Sequence, residues 1–235
     1  MDTKIIFEDK DLLLLNKPSG MVVNRANTTK EPTVQDWLEE YLKLKDEGIG
    51  GRAGIVHRLD KGTSGIMIVA KTTKAFEDIQ RQFKERSVEK SYQCLVHGKI
   101  EIKKGQIKAP VGRLPWNRER FGVLPGGRSA ETNYEVINYY KKDKDIFSLV
   151  NVFPKTGRTH QIRIHMKYLG YPLVADEFYA GRKTSRKDIT WCPRLFLHAK
   201  NISFVHPRTN KKLTFQADLP NDLGKVLQKL TLLTD

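Results

Sequence analysis

His57-Arg58-Leu59-Asp60-Lys61-Gly62-Thr63-Ser64-Gly65-Ile66-Met67-Ile68-Val69-Ala70 joins a polar turn to an unbroken apolar run. A short run of this kind, without alternation, reads as a strand over residues 66–70 covered on both faces. Upstream, residues 4–8 and 12–16 read as two short strands, parted by Asp9-Lys10-Asp11 and stopped by Pro18-Ser19-Gly20. Pro32 stands where a helix can begin, and Val34, Trp37, Leu38, Tyr41 and Leu42 recur at helical spacing as far as Gly48. Downstream, Phe76, Ile79, Gln80 and Phe83 mark a helix ending near Arg86.

Beyond Arg86 the pattern becomes strand-rich, with expected strands at residues 92–96, 106–109, 130–139 and 147–152, then near 195–198 and 212–216. Leu223, Val226, Leu227 and Leu230 give a last amphipathic helix. The expected fold class is α+β, with a mixed, largely antiparallel central sheet flanked by helices and loops. No internal repeat or low-complexity linker interrupts the 235 residues, so one domain over residues 1–235 is expected. Residues 110–129 carry Arg113, Arg118, Arg120 and Arg128 among Trp116, Phe121 and several glycines, and read as a basic flap within that domain.

Forty-two Lys and Arg against 27 Asp and Glu leave a formal net charge of +15. Such an excess points to a polyanionic partner or an anionic surface, because clustered cations displace counterions from phosphates. No run approaches the roughly 20 apolar residues of a membrane span, and MDTKIIFEDK lacks the apolar stretch of a signal peptide. A cytoplasmic monomer without a membrane partner is the expectation. The two cysteines, Cys94 and Cys192, have no CxxC spacing, so neither a disulfide framework nor a cysteine metal site is expected.

Asp60, at the tip of a core strand, is rigidly aimed and has the chemistry of a nucleophile or general base; the same residue type also caps turns through backbone amides. If residues 157–166 are helical, Ile162, Met166 and Leu169 fall on one side and His160, Arg163 and Lys167 on another, one stripe for packing and one for a ligand. Arg163 beside a partly buried aspartate would favour its ionised form, or it would be a solvated helix residue. His160 and His165, five apart, are wrongly spaced for a zinc helix, and no metal is expected. Cys94 reads as a buried small hydrophobe, and Tyr92 as a core aromatic or a stacking platform.

Three segments, HRLDKGTSG (57–65), KSYQCLVHG (90–98) around Tyr92 and GRTHQIRIH (157–165), together resemble the RluA-type family of RNA pseudouridine synthases. NKPSGMVV (16–23), PVGR (110–113), RSAETNYEV (128–136), GYPLVADEFYA (170–180) and RLFLHA (194–199) also look like blocks of that family, in its order.

The resemblance implies that Asp60 is the catalytic aspartate, Tyr92 the residue contacting the target base and Arg163 the basic partner of Asp60. It makes Arg58 the base-flipping residue, since a guanidinium plane both stacks and donates hydrogen bonds. Leu195 and Leu197 would line the base pocket. Arg113, Arg118, Arg120 and Arg128, as phosphate contacts, and His160 are the other expected RNA contacts, with Trp116 or Phe121 for stacking or flap packing; a solvated charged loop is the other reading of the flap. The implied reaction isomerises uridine to pseudouridine in tRNA or rRNA without a cofactor. Because the chain opens on catalytic-domain strands, the S4-type RNA-binding module of many relatives is expected to be absent. Ala175-Asp176 stands where the family usually has Gly-Asp, which would remove a glycine turn.

Overall fold

The structure, a computed structural model, describes residues 3–26, 29–44 and 48–234; the side chains of residues 118 and 119 fall outside that set. In chain order the elements are β1 (Lys4–Glu8), β2 (Leu12–Lys17), α1 (Val34–Tyr41), β3 (Ser64–Ala70), α2 (Thr73–Glu85), β4 (Glu89–His97), β5 (Lys104–Lys108), β6 (Val111–Leu114) and β7 (Asn117–Val123). They continue with β8 (Glu131–Lys142), β9 (Asp145–Pro154), α3 (Gln161–Tyr168), α4 (Arg182–Ile189), β10 (Leu197–Val205), β11 (Lys212–Gln216), α5 (Asn221–Gln228) and β12 (Thr231–Leu233). The chain divides into two compact units, residues 1–89 with 199–217, and residues 90–198 with 218–235.

In the first unit the strand order is β1-β2-β3-β10, with β11 on β10. The pairs β1/β2, β2/β3 and β10/β11 are antiparallel. Leu12 to Leu15 are fully buried and every residue of β3 is buried, as the apolar runs require. Gly65 enters β3 at φ +120, where a Cβ would lie 2.2 Å from the Ala199 carbonyl oxygen, so only glycine fits. Helix α2 starts at its Thr72 cap and ends on Arg86, in the left-handed conformation. Gln82 of α2 holds Val205 from both sides, donating to its carbonyl at 2.7 Å and accepting its N–H at 2.9 Å. Helix α1 begins with a Thr33/Asp36 capping box rather than at Pro32 and ends at Tyr41, seven residues short of the expected Gly48. Lys43 has turned to φ +52, which an α-helix cannot continue through, and residues 45–47 of the expected span lie outside the described residues.

In the second unit the order is β4-β9-β8-β12, with β5 on β8 and a separate β6/β7 hairpin. The β4/β9, β9/β8, β5/β8 and β12/β8 pairs are antiparallel. One core cluster joins Cys94, Val96, Val150 and Val152 to Ile162 and Met166 of α3; another joins Leu95 and Leu149 to Phe196 and to Leu223 and Val226 of α5. The fold is thus α+β with a largely antiparallel sheet, as the pattern indicates.

Candidate functional site

In the first unit, the loop before β3 is held by its backbone. Gly20 N–H donates to the Lys61 carbonyl at 2.8 Å, Ser19 Oγ to the Gly62 carbonyl at 2.8 Å, and Thr63 N–H to the Asp60 carbonyl at 3.0 Å. Lys17, wholly buried, donates from Nζ to the carbonyls of Pro18 and Met21 at 2.8 Å each and of Lys61 at 3.3 Å. These acceptors satisfy an ammonium whose burial would otherwise cost several kcal/mol. His57 Nε2 accepts the Ile68 N–H at 3.0 Å, and its ring packs 4.8 Å from that of Phe83. Leu59 plugs the core, Arg58 is exposed and Asp60 is half-buried. The loop thereby presents residues 58 and 60 on a fixed backbone.

The second unit carries the other expected residues. Tyr92, half-buried on β4, packs against the cluster to which the buried Leu195 and Leu197 belong. Lys90 shares its strand face by the two-residue period, and burial pulls its ammonium down to about 8. Burial raises the Cys94 thiol far above the ordinary range, which fits an inert core residue.

Arg163 is only 6% exposed. Its Nε donates to Asp176 Oδ2 and its Nη2 to Asp176 Oδ1, both at 2.8 Å, a two-pronged fork. The expected split of α3 into a packing stripe and a ligand stripe is corrected here. Residues 161–166 are all buried, and His160 stands outside the helix as its left-handed cap at φ +55. The cause is Gln161, whose buried amide donates to the Glu131 carbonyl at 3.0 Å and Thr132 Oγ1 at 2.9 Å while accepting from Thr156 at 2.7 Å. His160 Nδ1 lies 2.9 Å from the Tyr179 hydroxyl, and the Arg163 guanidinium lies 5.0 Å from the Tyr179 ring centroid.

The turn into Asp176 is also a correction. It is kept, with Ala175 bearing φ +56 in place of glycine. Ala175→Gly is therefore expected to stabilise the protein by about 0.5–1 kcal/mol, measured as a shift in urea midpoint at unchanged slope.

Within residues 110–129, β6 and β7 pair as a hairpin. Its base is tied by reciprocal 2.9 Å bonds between Val111 and Arg128 and packs through Val111 on Ala130, Ile164 and Tyr179. Arg113 and Arg128 are exposed, Arg113 with its guanidinium 5.2 Å from the Phe121 ring; Trp116 is 76% exposed; the Arg118 side chain lies outside the described residues.

Behind the hairpin, fully buried His165 places Nδ1 2.8 Å from Thr132 Oγ1 and Nε2 3.0 Å from the Ala109 carbonyl. Only the donor form of Nε2 suits that carbonyl. Burial lowers the His165 pKa from its ordinary 6.5, against a smaller opposing effect of the Ala109 bond. The folded state thus favours the neutral ring: its stabilising effect is full above the unfolded value near 6.5 and is lost as pH falls through the lowered folded value. Urea unfolding below pH 6.5 should show a steeper acid-side loss of stability in the parent than in His165→Asn.

Among the described residues, Asp9, Asp11 and His206 bring ligating atoms within 4.8 Å of one another. Their atoms are committed to the protein. His206 Nδ1 accepts the N–H groups of Arg208 and Thr209 at 3.1 Å each, so Nε2 carries the proton toward Asp9 Oδ2 at 2.8 Å, and Arg208 Nε lies 2.6 Å from Asp11 Oδ2. The three side chains are thus engaged in an Asp9–His206 hydrogen bond and an Asp11–Arg208 ion pair.

The sequence reading did not anticipate Asp176 as the partner of Arg163, nor Phe178 and Tyr179 around it. The DEFYA block held the only signal, a carboxylate followed by two aromatics. The excess positive charge fits a polyanionic partner such as RNA. The chain belongs to the RNA pseudouridylate synthase family, whose model matches residues 11–168; its members isomerise uridine in RNA. It is 40% identical over 232 residues to "Uncharacterized RNA pseudouridine synthase YlyB" of Bacillus subtilis, covering 98% of this chain and 73% of that protein. It is 38% identical to "Ribosomal large subunit pseudouridine synthase D" of Nitrosomonas europaea, covering 97% of this chain and 65% of that one. The solved structure of "Human RNA Pseudouridylate Synthase Domain Containing 1" superposes with a TM-score of 0.79 at 26% identity, over 99% of this chain and 89% of that one. Among the described residues no helix is long and apolar enough to cross a membrane.

Proposed function

We propose that the protein converts a uridine of ribosomal or transfer RNA to pseudouridine, with Asp60 acting on the ribose of an extruded nucleotide. The bond from C1′ to N1 of uracil breaks, the base turns while held, C5 bonds to C1′, and the C5 proton leaves as N1 gains one. Asp60 either attacks C1′ or removes the C2′ proton, and both routes need an ionised, immobile carboxylate. Tyr92 contacts the uracil, and Arg163, its Nε and Nη2 edge fixed by Asp176, is the basic partner of Asp60. Arg58 supports extrusion, whose cost of about a few kcal/mol favours loops over paired helices. Leu195 and Leu197 line the base pocket.

The observation that carries this reading is the backbone lacing of residues 60–63, which fixes the main chain of Asp60 at the entrance to β3. Ribosomal RNA is the first target to test, from the name of the Nitrosomonas relative. We further infer that residues 1–235 act as one catalytic domain, because the family match runs through both units. The hairpin at 110–129, with Arg113, Arg118 and Arg128, and His160 nearby then contact RNA phosphates, and the protein works as a monomer in the cytoplasm. The test maps carbodiimide-reactive pseudouridines in total RNA with and without the protein, using Asp60→Asn as control. A site present only with the active chain supports the reading; identical maps overturn it.

A further inference from the structure

We propose that Phe178 is a stacking platform for an unpaired RNA base beside the target uridine, a role that rests on the synthase reading above. Phe178 is 42% exposed, although a phenylalanine gains most by burial. Its position is nevertheless held firmly. Asp176 Oδ1 accepts the N–H groups of Phe178 and Tyr179 at 3.0 Å each, and Asp176 is itself gripped by the Arg163 fork.

Side chains of two segments, β7 and α3 with its cap, lie close to the ring. The Arg163 guanidinium lies 5.3 Å from its centroid, the Arg120 guanidinium of the hairpin 6.0 Å, and the His160 ring 5.9 Å. An exposed aromatic face beside an exposed guanidinium is an arrangement that holds single-stranded nucleic acid: the base stacks on the ring while Arg120, the exposed cation of the two, meets a phosphate. The formal charge of +15 favours a polyanion such as RNA over a protein partner. Tyr92, on a different element, serves the target uracil, which leaves Phe178 for a neighbouring base. This would make Phe178 a determinant of affinity for unpaired loops, with little preference among bases.

The experiment uses a stem-loop RNA built around a converted uridine, with 2-aminopurine in turn on either side of it. Bound to the full chain carrying Asp60→Asn, which does not turn it over, one of the two labels should be quenched. Phe178→Trp should keep that quenching and Phe178→Leu, similar in apolar bulk but without a π face, should lose it. In the otherwise native chain, Phe178→Ala should raise KM for the stem-loop about 5- to 150-fold, far more than it lowers kcat, and Phe178→Trp should restore KM. Quenching and KM that are the same in Phe178→Leu as in the parent would overturn the platform alone. Failure of the parent to convert any uridine would overturn the synthase reading and the platform with it.

Discussion

Asp60→Asn is expected to lower pseudouridine formation by about 10³-fold or more while leaving RNA affinity close to that of the parent. Asparagine has nearly the same shape, but its amide neither attacks a sugar carbon nor accepts a proton at neutral pH. The loop should keep its path, because the bonds that hold it run to main-chain carbonyls at residues 60–62 from Thr63, Lys17, Ser19 and Gly20. Tritium release from RNA carrying 5-tritiated uridine reads the chemistry, and filter binding reads the affinity. Turnover within tenfold of the parent would remove Asp60 from the mechanism. Equal loss of turnover and binding would instead point to a damaged loop.

Arg163→Met is expected to destabilise the protein by about 3–5 kcal/mol, the cost of stranding a buried carboxylate. Asp176 is 1% exposed, and without the fork its charge retains only the N–H groups of Phe178 and Tyr179 among the contacts described above. Adding Asp176→Asn removes that charge while keeping an acceptor for both N–H groups, so the double variant should recover at least about 1 kcal/mol relative to Arg163→Met. Urea unfolding of the parent, both single variants and the double variant closes the cycle. Strictly additive effects would show that the fork contributes no coupling. A loss of activity in Arg163→Met is thus expected from the fold alone, so the charge role assigned to Arg163 must be judged in variants that remain folded.

Elements carrying a strong local pattern were legible in the chain. The apolar runs of β2 and β3 and the helical spacing of α2 appear where they were expected, as do β4, β8 and β9, because burial on both faces or on one stripe writes itself into nearest-neighbour spacing. Helix α4 was missed, since RKTSRKDI is polar nearly all round, and so was β12, whose three residues pair with β8 from far along the chain. The end of α1 was misplaced because apolar spacing continues beyond the point where the backbone turns at Lys43.

The amino-acid order by itself determined the α+β class, the polyanionic character of the partner and the family, since composition and contiguous motifs survive without coordinates. Only the tertiary structure decided that Arg163 grips Asp176 thirteen residues away, that Ala175 bears a left-handed turn, and that Phe178 stands exposed beside Arg163 of α3 and Arg120 of β7. The reason is physical. Local spacing records which face a residue takes, whereas the identity of a charged partner and the exposure of a ring depend on how distant segments pack, and no short window of sequence holds that information.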